Sequence, residues 1–177
     1  MRSKRFLTVA AAAVAVTLGM TACGSDSSES SDTAASETGP GAFPVTIEHA
    51  FGTTTIDEKP TRVATVNWAN HEVPLALGIV PVGMAAANFG DDDNNGMLPW
   101  VEEKLEELGG ETPVLFDETD GIDFEAVSDT DPDVILAAYS GLTQETYDTL
   151  SAIAPVVAFP EAPWATSWRD TILYNSM

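Results

Sequence analysis

The sequence of 177 residues has one cysteine and only seven lysine and arginine residues, against 28 aspartate and glutamate residues. A single cysteine excludes an intramolecular disulfide. The shortage of cations is sharper after Cys23, where four basic residues face all 28 acidic ones and the formal charge is −24. Because so acidic a surface repels phosphate backbones, we expect no nucleic acid partner and no direct electrostatic adhesion to anionic lipid.

Several motifs of catalysis and nucleotide binding are also missing. No GxGxxG or Walker sequence follows a strand-like run, and there is no GxSxG motif. The two histidines, His49 and His71, come without an obvious third ligand for a transition metal. We therefore expect no cofactor, no metal centre and no enzymatic activity.

One acidic segment does match a known pattern. Asp91–Gly96 with Glu102 fits the calcium-loop pattern D-x-[DN]-x-[DN]-G-x5-E. An EF-hand loop is entered from a helix, whereas a strand-like run precedes this one, and Pro99 occupies its ninth position. We interpret the segment as a solvated acidic loop, with weak calcium binding as the alternative.

The N-terminus has the pattern of a secreted and anchored protein. A basic start precedes an apolar run, Phe6–Met20, that is too short to span a membrane well, so 1–22 is predicted to be a signal peptide. Met20–Gly24 resembles a bacterial lipobox, with Met where Leu is usual, and predicts lipidation of Cys23. The alternative is an ordinary cleavage site with a chance cysteine.

The segment after Cys23 has no large apolar residue up to Gly41. Burial cannot offset the entropy of ordering such a chain, so 23–42 is predicted to be a lipidated cysteine and a disordered tether. Together these features place the protein at the extracytoplasmic face of the bacterial cell membrane, held there by its lipid anchor only.

The rest of the chain alternates between strand-like and helical patterns. An N-terminal hairpin, 43–56, is followed by five runs that predict parallel strands and by five helical segments, two of which, Pro99–Leu108 and the helix capped by Thr143, have a clear apolar stripe. The predicted strands are Arg62–Val66, Ile79–Met84, Pro113–Phe116, Asp133–Tyr139 and Val156–Phe159. This order predicts an α/β fold with a doubly wound, mostly parallel five-stranded sheet.

The loops at the carboxyl ends of these strands carry the best candidates for a site. Ligands bind at this edge of open α/β sheets, and aromatic, amide and hydroxyl side chains suit a medium-sized ligand. Asn70 is also placed where it could cap the helix His71–Leu77. The predicted ligand-binding residues are Trp68, Asn70, Asn88, Tyr139, Ser140 and Trp164.

Two segments carry a family resemblance: TRVATVNWANHEVPLALGIVPVGMAA, and GIDFEAVSDTDPDVILAAYSGLTQETYDTLSAIAPVVAF. With the lipobox and the acidic tether, they resemble the N-terminal lobe of class III substrate-binding lipoproteins, which serve ABC importers of ferric siderophores, haem or cobalamin. The resemblance implies that 43–163 forms this lobe and that 164–177 begins the helix joining two lobes. The helix lacks a stop signal, so we interpret the chain as a fragment; a natural truncation is the alternative.

The resemblance further implies capture of a ferric siderophore by a monomeric protein and its delivery to an ABC permease, with Glu125 docking to permease arginines. None of the four basic residues after Cys23 lies in a carboxyl-edge loop, which favours a neutral or cationic complex such as a ferric hydroxamate. The alternatives are a haem, cobalamin or metal receptor of the same family, or a surface lipoprotein enzyme.

Overall fold

A computed structural model describes residues 43–177. The predicted signal peptide, Cys23 and the tether lie outside the described residues. The described part begins with the predicted hairpin, in which β1 (Val45–His49) pairs antiparallel with β2 (Gly52–Ile56). The hydroxyl of Thr54 donates to the carbonyl of Val156 at 2.7 Å, which ties the hairpin to the main sheet.

The main sheet has five strands, all parallel, in the order β5-β4-β3-β6-β7. The strand order reverses between β3 and β6, so the crevice beyond their carboxyl ends is the place where such sheets bind ligands. The predicted fold class is confirmed. The strands are β3 (Val63–Thr65), β4 (Gly83–Ala85), β5 (Val114–Phe116), β6 (Val134–Ala137) and β7 (Val156–Ala158).

Five helices connect or follow these strands, and three begin at the predicted capping residue. The side chains of Asp123, Thr143 and Ser167 each accept a hydrogen bond from a backbone N–H of the first turn. No helix among residues 43–177 is long and apolar enough to cross a membrane. The helices are α1 (Glu72–Ala76), α2 (Pro99–Leu108), α3 (Phe124–Asp129), α4 (Gln144–Ser151) and α5 (Trp168–Asn175).

Two local predictions are wrong. The strand predicted at Ile79–Met84 begins only at Gly83, because the N–H of Ile79 donates to the carbonyl of Pro74 at the end of α1 and Pro81 has no N–H. Asn70 does not cap α1: His71 occupies the N-cap position without a side-chain cap. The Asn70 side chain is used elsewhere.

The core lies on both faces of the sheet. On one face, α3 and α4 pack against the sheet in a cluster of buried side chains that includes Phe116 of β5, Val127, Ile135 and Leu150. At the β4–β5 end, Val101 and Leu105 of α2 pack against Met84. This packing leaves the five carboxyl-end loops side by side at one edge.

Candidate ligand-binding site

At the switch point, Asn70 joins the loops that follow β3 and β6. Its Nδ2 donates to the carbonyls of Val66 and Tyr139, both at 2.8 Å, and its Oδ1 accepts from the N–H of Tyr139 at 3.0 Å. Oδ1 also accepts from Nδ2 of Asn175, on α5, at 2.9 Å. Since Asn70 is fully buried, it holds three segments in register and presents no surface to a ligand.

Asn67 makes a second link, between the loops after β5, β3 and β6. Its backbone N–H and its Nδ2 donate to the carboxylate of Glu118, the latter at 2.7 Å, and its Oδ1 accepts from the N–H of Gly141 at 3.1 Å. Asn67 has a φ of 60°, and Ala69 a φ of 66°, so this loop departs twice from ordinary backbone conformations. The cross-loop hydrogen bonds stabilise that shape.

Aromatic side chains rise from these loops. Tyr139 and Trp164 meet edge to face with ring centroids 5.4 Å apart. Trp68 is 42% exposed and Trp164 is 50% exposed, which is unusual for side chains of this size. Trp164 also has a φ of 57°, a costly conformation for a bulky residue, and its N–H donates to the carbonyl of Ser140.

Gly141 is required for the position of Trp164. A Cβ on Gly141 would fall within 2.7 Å of indole atoms of Trp164, so any other residue would displace the ring. Because its N–H also bonds to Asn67, Gly141 connects the aromatic side chain to the Asn67–Glu118 link.

Two clefts open beside Trp68. The first has a volume of about 260 Å³, and its polar or aromatic lining residues are Asn67, Trp68, His71, Asn88, Glu118 and Trp164. The second, of about 420 Å³, runs from Trp68 toward the start of α5 and includes Tyr139, Trp168 and Ile172. Both are open and lie at the predicted edge of the sheet. Such concave, mostly apolar surfaces with a few polar groups suit a small-molecule ligand.

The first cleft carries a negative charge and no positive one. Burial raises the pKa of Glu118, and its hydrogen bonds from Asn67 act in the opposite direction. Burial lowers the pKa of His71 to about 4, so this imidazole is neutral at physiological pH. The His71 ring stacks on Trp100 with centroids 5.7 Å apart.

The structure places the six predicted ligand-binding residues in different settings. Trp68, Asn88 and Trp164 line the first cleft, and Tyr139 lines the second. Asn70 and Ser140 are fully buried instead, and in this structure they offer no surface to a ligand. Both residues lie at the predicted edge of the sheet, but their side chains are inside the protein and not on the surface of a cleft.

Sequence reasoning missed Asn67, Glu118, His71 and Gly141. Asn67 and Glu118 lay within loops already singled out, yet the dominant cue was the aromatic side chains beside them. No local pattern connects Glu118 to a residue 51 positions earlier. The sheet order brings them together, because the loops after β5 and β3 flank the end of β4.

The acidic loop after β4 turns upon itself. The Asp91 carboxylate accepts from the N–H groups of Asp93, Asn94 and Gly96, and these bonds lower its pKa. Asp91, Asp92 and Asp93 could bring carboxylate oxygens within 4.8 Å of one another. The backbone bonds account for the position of Asp91, and calcium binding here stays untested.

Glu125 is exposed in the first turn of α3, two residues after the capping Asp123. A carboxylate there is favoured by the helix dipole and is free to contact a partner. The docking role predicted for it stays a prediction.

This edge places clustered aromatic side chains beside a switch point, the position at which open α/β sheets bind ligands. The periplasmic binding protein family model matches residues 63–175, and the chain belongs to that family. It is 33% identical over 156 residues to the "Probable siderophore-binding lipoprotein YfiY" of Bacillus subtilis, a match covering 86% of this chain and 42% of YfiY. This chain thus spans less than half the length of that relative.

Solved structures are similar over the same region. The crystal structure of Streptococcus pneumoniae PiaA in complex with ferrichrome matches with a TM-score of 0.72 and 58% identity, over 74% of this chain and 43% of PiaA. Staphylococcus aureus SirA complexed with staphyloferrin B matches with a TM-score of 0.55 and 28% identity, over 72% of this chain and 39% of SirA. These relatives are binding proteins.

Proposed function

We propose that this chain forms the N-terminal lobe of an extracytoplasmic lipoprotein that captures a ferric siderophore and delivers it to an ABC permease. The observation that carries the proposal is the cluster of Trp68, Tyr139 and Trp164 around clefts at the switch point of the sheet. Aromatic faces and hydrogen bonds are what a bulky metal complex with an organic shell requires.

The relatives favour iron over the other ligands of the family. PiaA, which shares 58% identity with this chain over the matched region, was crystallised with ferrichrome, a ferric hydroxamate. A strongly anionic complex would be expected to contact lysine or arginine side chains. The lining of the first cleft contains neither residue type. A ferric hydroxamate is therefore the ligand class that best fits this half of the site.

The direct test is tryptophan fluorescence of the full-length protein, titrated separately with ferrichrome, ferric enterobactin, haem and cobalamin. Trp68 and Trp164 line the cleft, so a bound iron complex should quench their emission. We expect saturable quenching by ferrichrome at the lowest concentration. Quenching by haem or cobalamin alone would overturn the siderophore proposal and favour a receptor for those ligands.

Delivery requires docking, for which Glu125 is the candidate on this lobe. Replacing Glu125 with Arg should leave ferrichrome binding unchanged and abolish iron uptake in cells, because an arginine would repel the arginines proposed on the permease. Glu145→Arg is the matched control, since Glu145 is an exposed first-turn carboxylate on α4. Normal uptake with the Glu125 variant, or equal loss with both variants, would contradict the docking role.

Attachment to the membrane rests on Cys23. A Cys23→Ser variant should shift from the membrane fraction to the soluble extracytoplasmic fraction, because a lipid chain is the proposed anchor. Fractionation followed by immunoblotting measures this shift. Unchanged membrane association would show that another segment anchors the protein.

A further inference from the structure

Glu118 stands out as the charged side chain of the first cleft. Among the described residues that line this cleft, it alone is charged, because His71 is neutral and the others are amides, aromatics or aliphatic residues. The four basic residues of the described chain, Lys59, Arg62, Lys104 and Arg169, are absent from the lining.

The carboxylate keeps capacity for a further donor. Its hydrogen bonds in the described structure come from a single residue, Asn67, through the backbone N–H and Nδ2. An ionised carboxylate offers about four lone-pair sites, so at least one remains for a donor in the cleft. Partial burial strengthens both attraction to a donor and repulsion of an anion.

We propose that Glu118 sets the charge selectivity of the site, favouring ferric complexes that present an N–H or ammonium donor and rejecting polyanionic ones. This inference rests on the proposed function and deepens it. Neither the hydroxamate preference inferred from missing cations nor the relatives' ligands assigns any residue to this task. Here one carboxylate supplies an active repulsion, which is a common route to specificity.

A purely structural role for Glu118 makes a different prediction. If the carboxylate only held Asn67 in its left-handed conformation, its loss would loosen the loop and lower the affinity for every ligand by a similar factor. If Glu118 instead selects ligands by charge, its loss should change the order of the affinities for ligands of different charge. The test must therefore compare ligands of different charge in the same variant.

The experiment compares the full-length protein with Glu118→Gln and Glu161→Gln. The amide oxygen introduced by Glu118→Gln can still accept from Asn67, while Glu161 is an exposed carboxylate in another loop of the same edge, outside the first cleft. Dissociation constants are measured by tryptophan quenching for cationic ferrioxamine B, neutral ferrichrome and trianionic ferric enterobactin. Thermal melting checks that each variant is folded.

In Glu118→Gln we expect ferric enterobactin to bind about tenfold more tightly and ferrioxamine B about tenfold more weakly, as removal of one charge at short range predicts. Ferrichrome should change by less than about threefold, and Glu161→Gln should move every value by less than about twofold. Equal weakening of all three complexes, or an unchanged order of affinities, would overturn this inference alone. If the unmodified protein bound none of them, the proposed function would fall with it.

Discussion

The two ends of the five-stranded sheet differ in their hydrogen bonding and in their backbone conformation. At the amino end, the Asp133 carboxylate accepts from the N–H groups of Thr61 and Arg62 and from the Thr61 hydroxyl, at 2.7–3.0 Å. At the carboxyl end, Asn67, Ala69 and Trp164 adopt positive φ, and the buried ring nitrogens of His71 and the hydroxyl of Ser140 have no partner in the described part of the chain.

The two ends therefore differ in how much local conformational and desolvation cost they carry. Strained backbone and unpartnered buried groups each cost about 1–3 kcal/mol, so they persist only where surrounding contacts hold them. Among the described residues, three of the five non-glycine residues with positive φ lie beside the clefts, whereas the amino end has one, Asp131, with a φ of 47°. Substitutions at the two ends test whether this division corresponds to a division between ligand binding and stability.

Replacing Asn70 with Ala should destabilise the protein by about 3–5 kcal/mol, since the N–H and carbonyl of Tyr139 and the amide of Asn175 would lose buried partners. Chemical denaturation measures the free energy of unfolding. Asn88→Ala is the control, because Asn88 is an exposed amide of the same edge, and it should cost less than about 0.5 kcal/mol. A similar loss of stability in both variants would show that the buried Asn70 contributes no more to folding than an exposed amide at the same edge.

The low pKa of His71 should make stability fall on acidification. The unfolded histidine binds a proton near its ordinary value of 6.5, whereas the folded one does so only near 4. Unfolding therefore takes up a proton in that window, and about 3 kcal/mol should be lost between pH 7 and pH 4. The raised pKa of Glu118 acts in the opposite sense.

His71→Phe isolates this contribution. It keeps a ring against Trp100 and removes the titrating group, so its stability should decline less steeply below pH 6.5 than that of the unmodified protein. Denaturation midpoints at several pH values give the two slopes. Parallel slopes would show that His71 is not protonated on unfolding in this range.

Trp164→Ala should weaken ferrichrome binding about 100-fold, as loss of a central aromatic contact typically does. The free energy of unfolding should change by less than about 1 kcal/mol, because half of the side chain is already exposed. Phe89→Ala, which removes a 79% exposed ring outside both clefts, is the control for binding. Comparable loss in both variants would argue against a specific contact by Trp164.

Asp133→Ala should give the reverse profile. Loss of three hydrogen bonds to an exposed carboxylate should lower the free energy of unfolding by about 1–2 kcal/mol and leave ferrichrome affinity within about twofold. Denaturation and fluorescence titration of the same preparation measure both quantities. A marked loss of affinity would show that the two ends of the sheet are coupled.

The fold was largely predictable because its cues are local. Helix α2 begins and ends at the predicted residues, and Asp123, Thr143 and Ser167 cap helices as expected. Capping and apolar periodicity act within a few residues, so they can be read from neighbouring positions. The strand after α1 was misplaced because Ile79 bonds back to the helix, a choice that depends on how α1 ends.

The sheet edge at which the two clefts open was predictable, whereas the part that each residue plays there was less so. Alternating strands and helices place the loops at one edge, so Trp68, Asn88, Tyr139 and Trp164 were found there. The sequence did not show which of the six residues line a cleft and which are buried, since Asn70 and Ser140 are the same kinds of residue as those that line ligand sites. Their burial follows from contacts between the loops after β3 and β6.

Composition and periodicity are properties of short segments, and they were enough to predict the α/β class, the sheet edge with the candidate site and the shortage of cations around it. Contacts between distant segments establish that Asn70 holds the loops together, that Gly141 makes room for Trp164 and that Glu118 lies in the cleft. Each of those relations joins loops that follow different strands. The strand order, which brings them together, is set by packing of the whole domain.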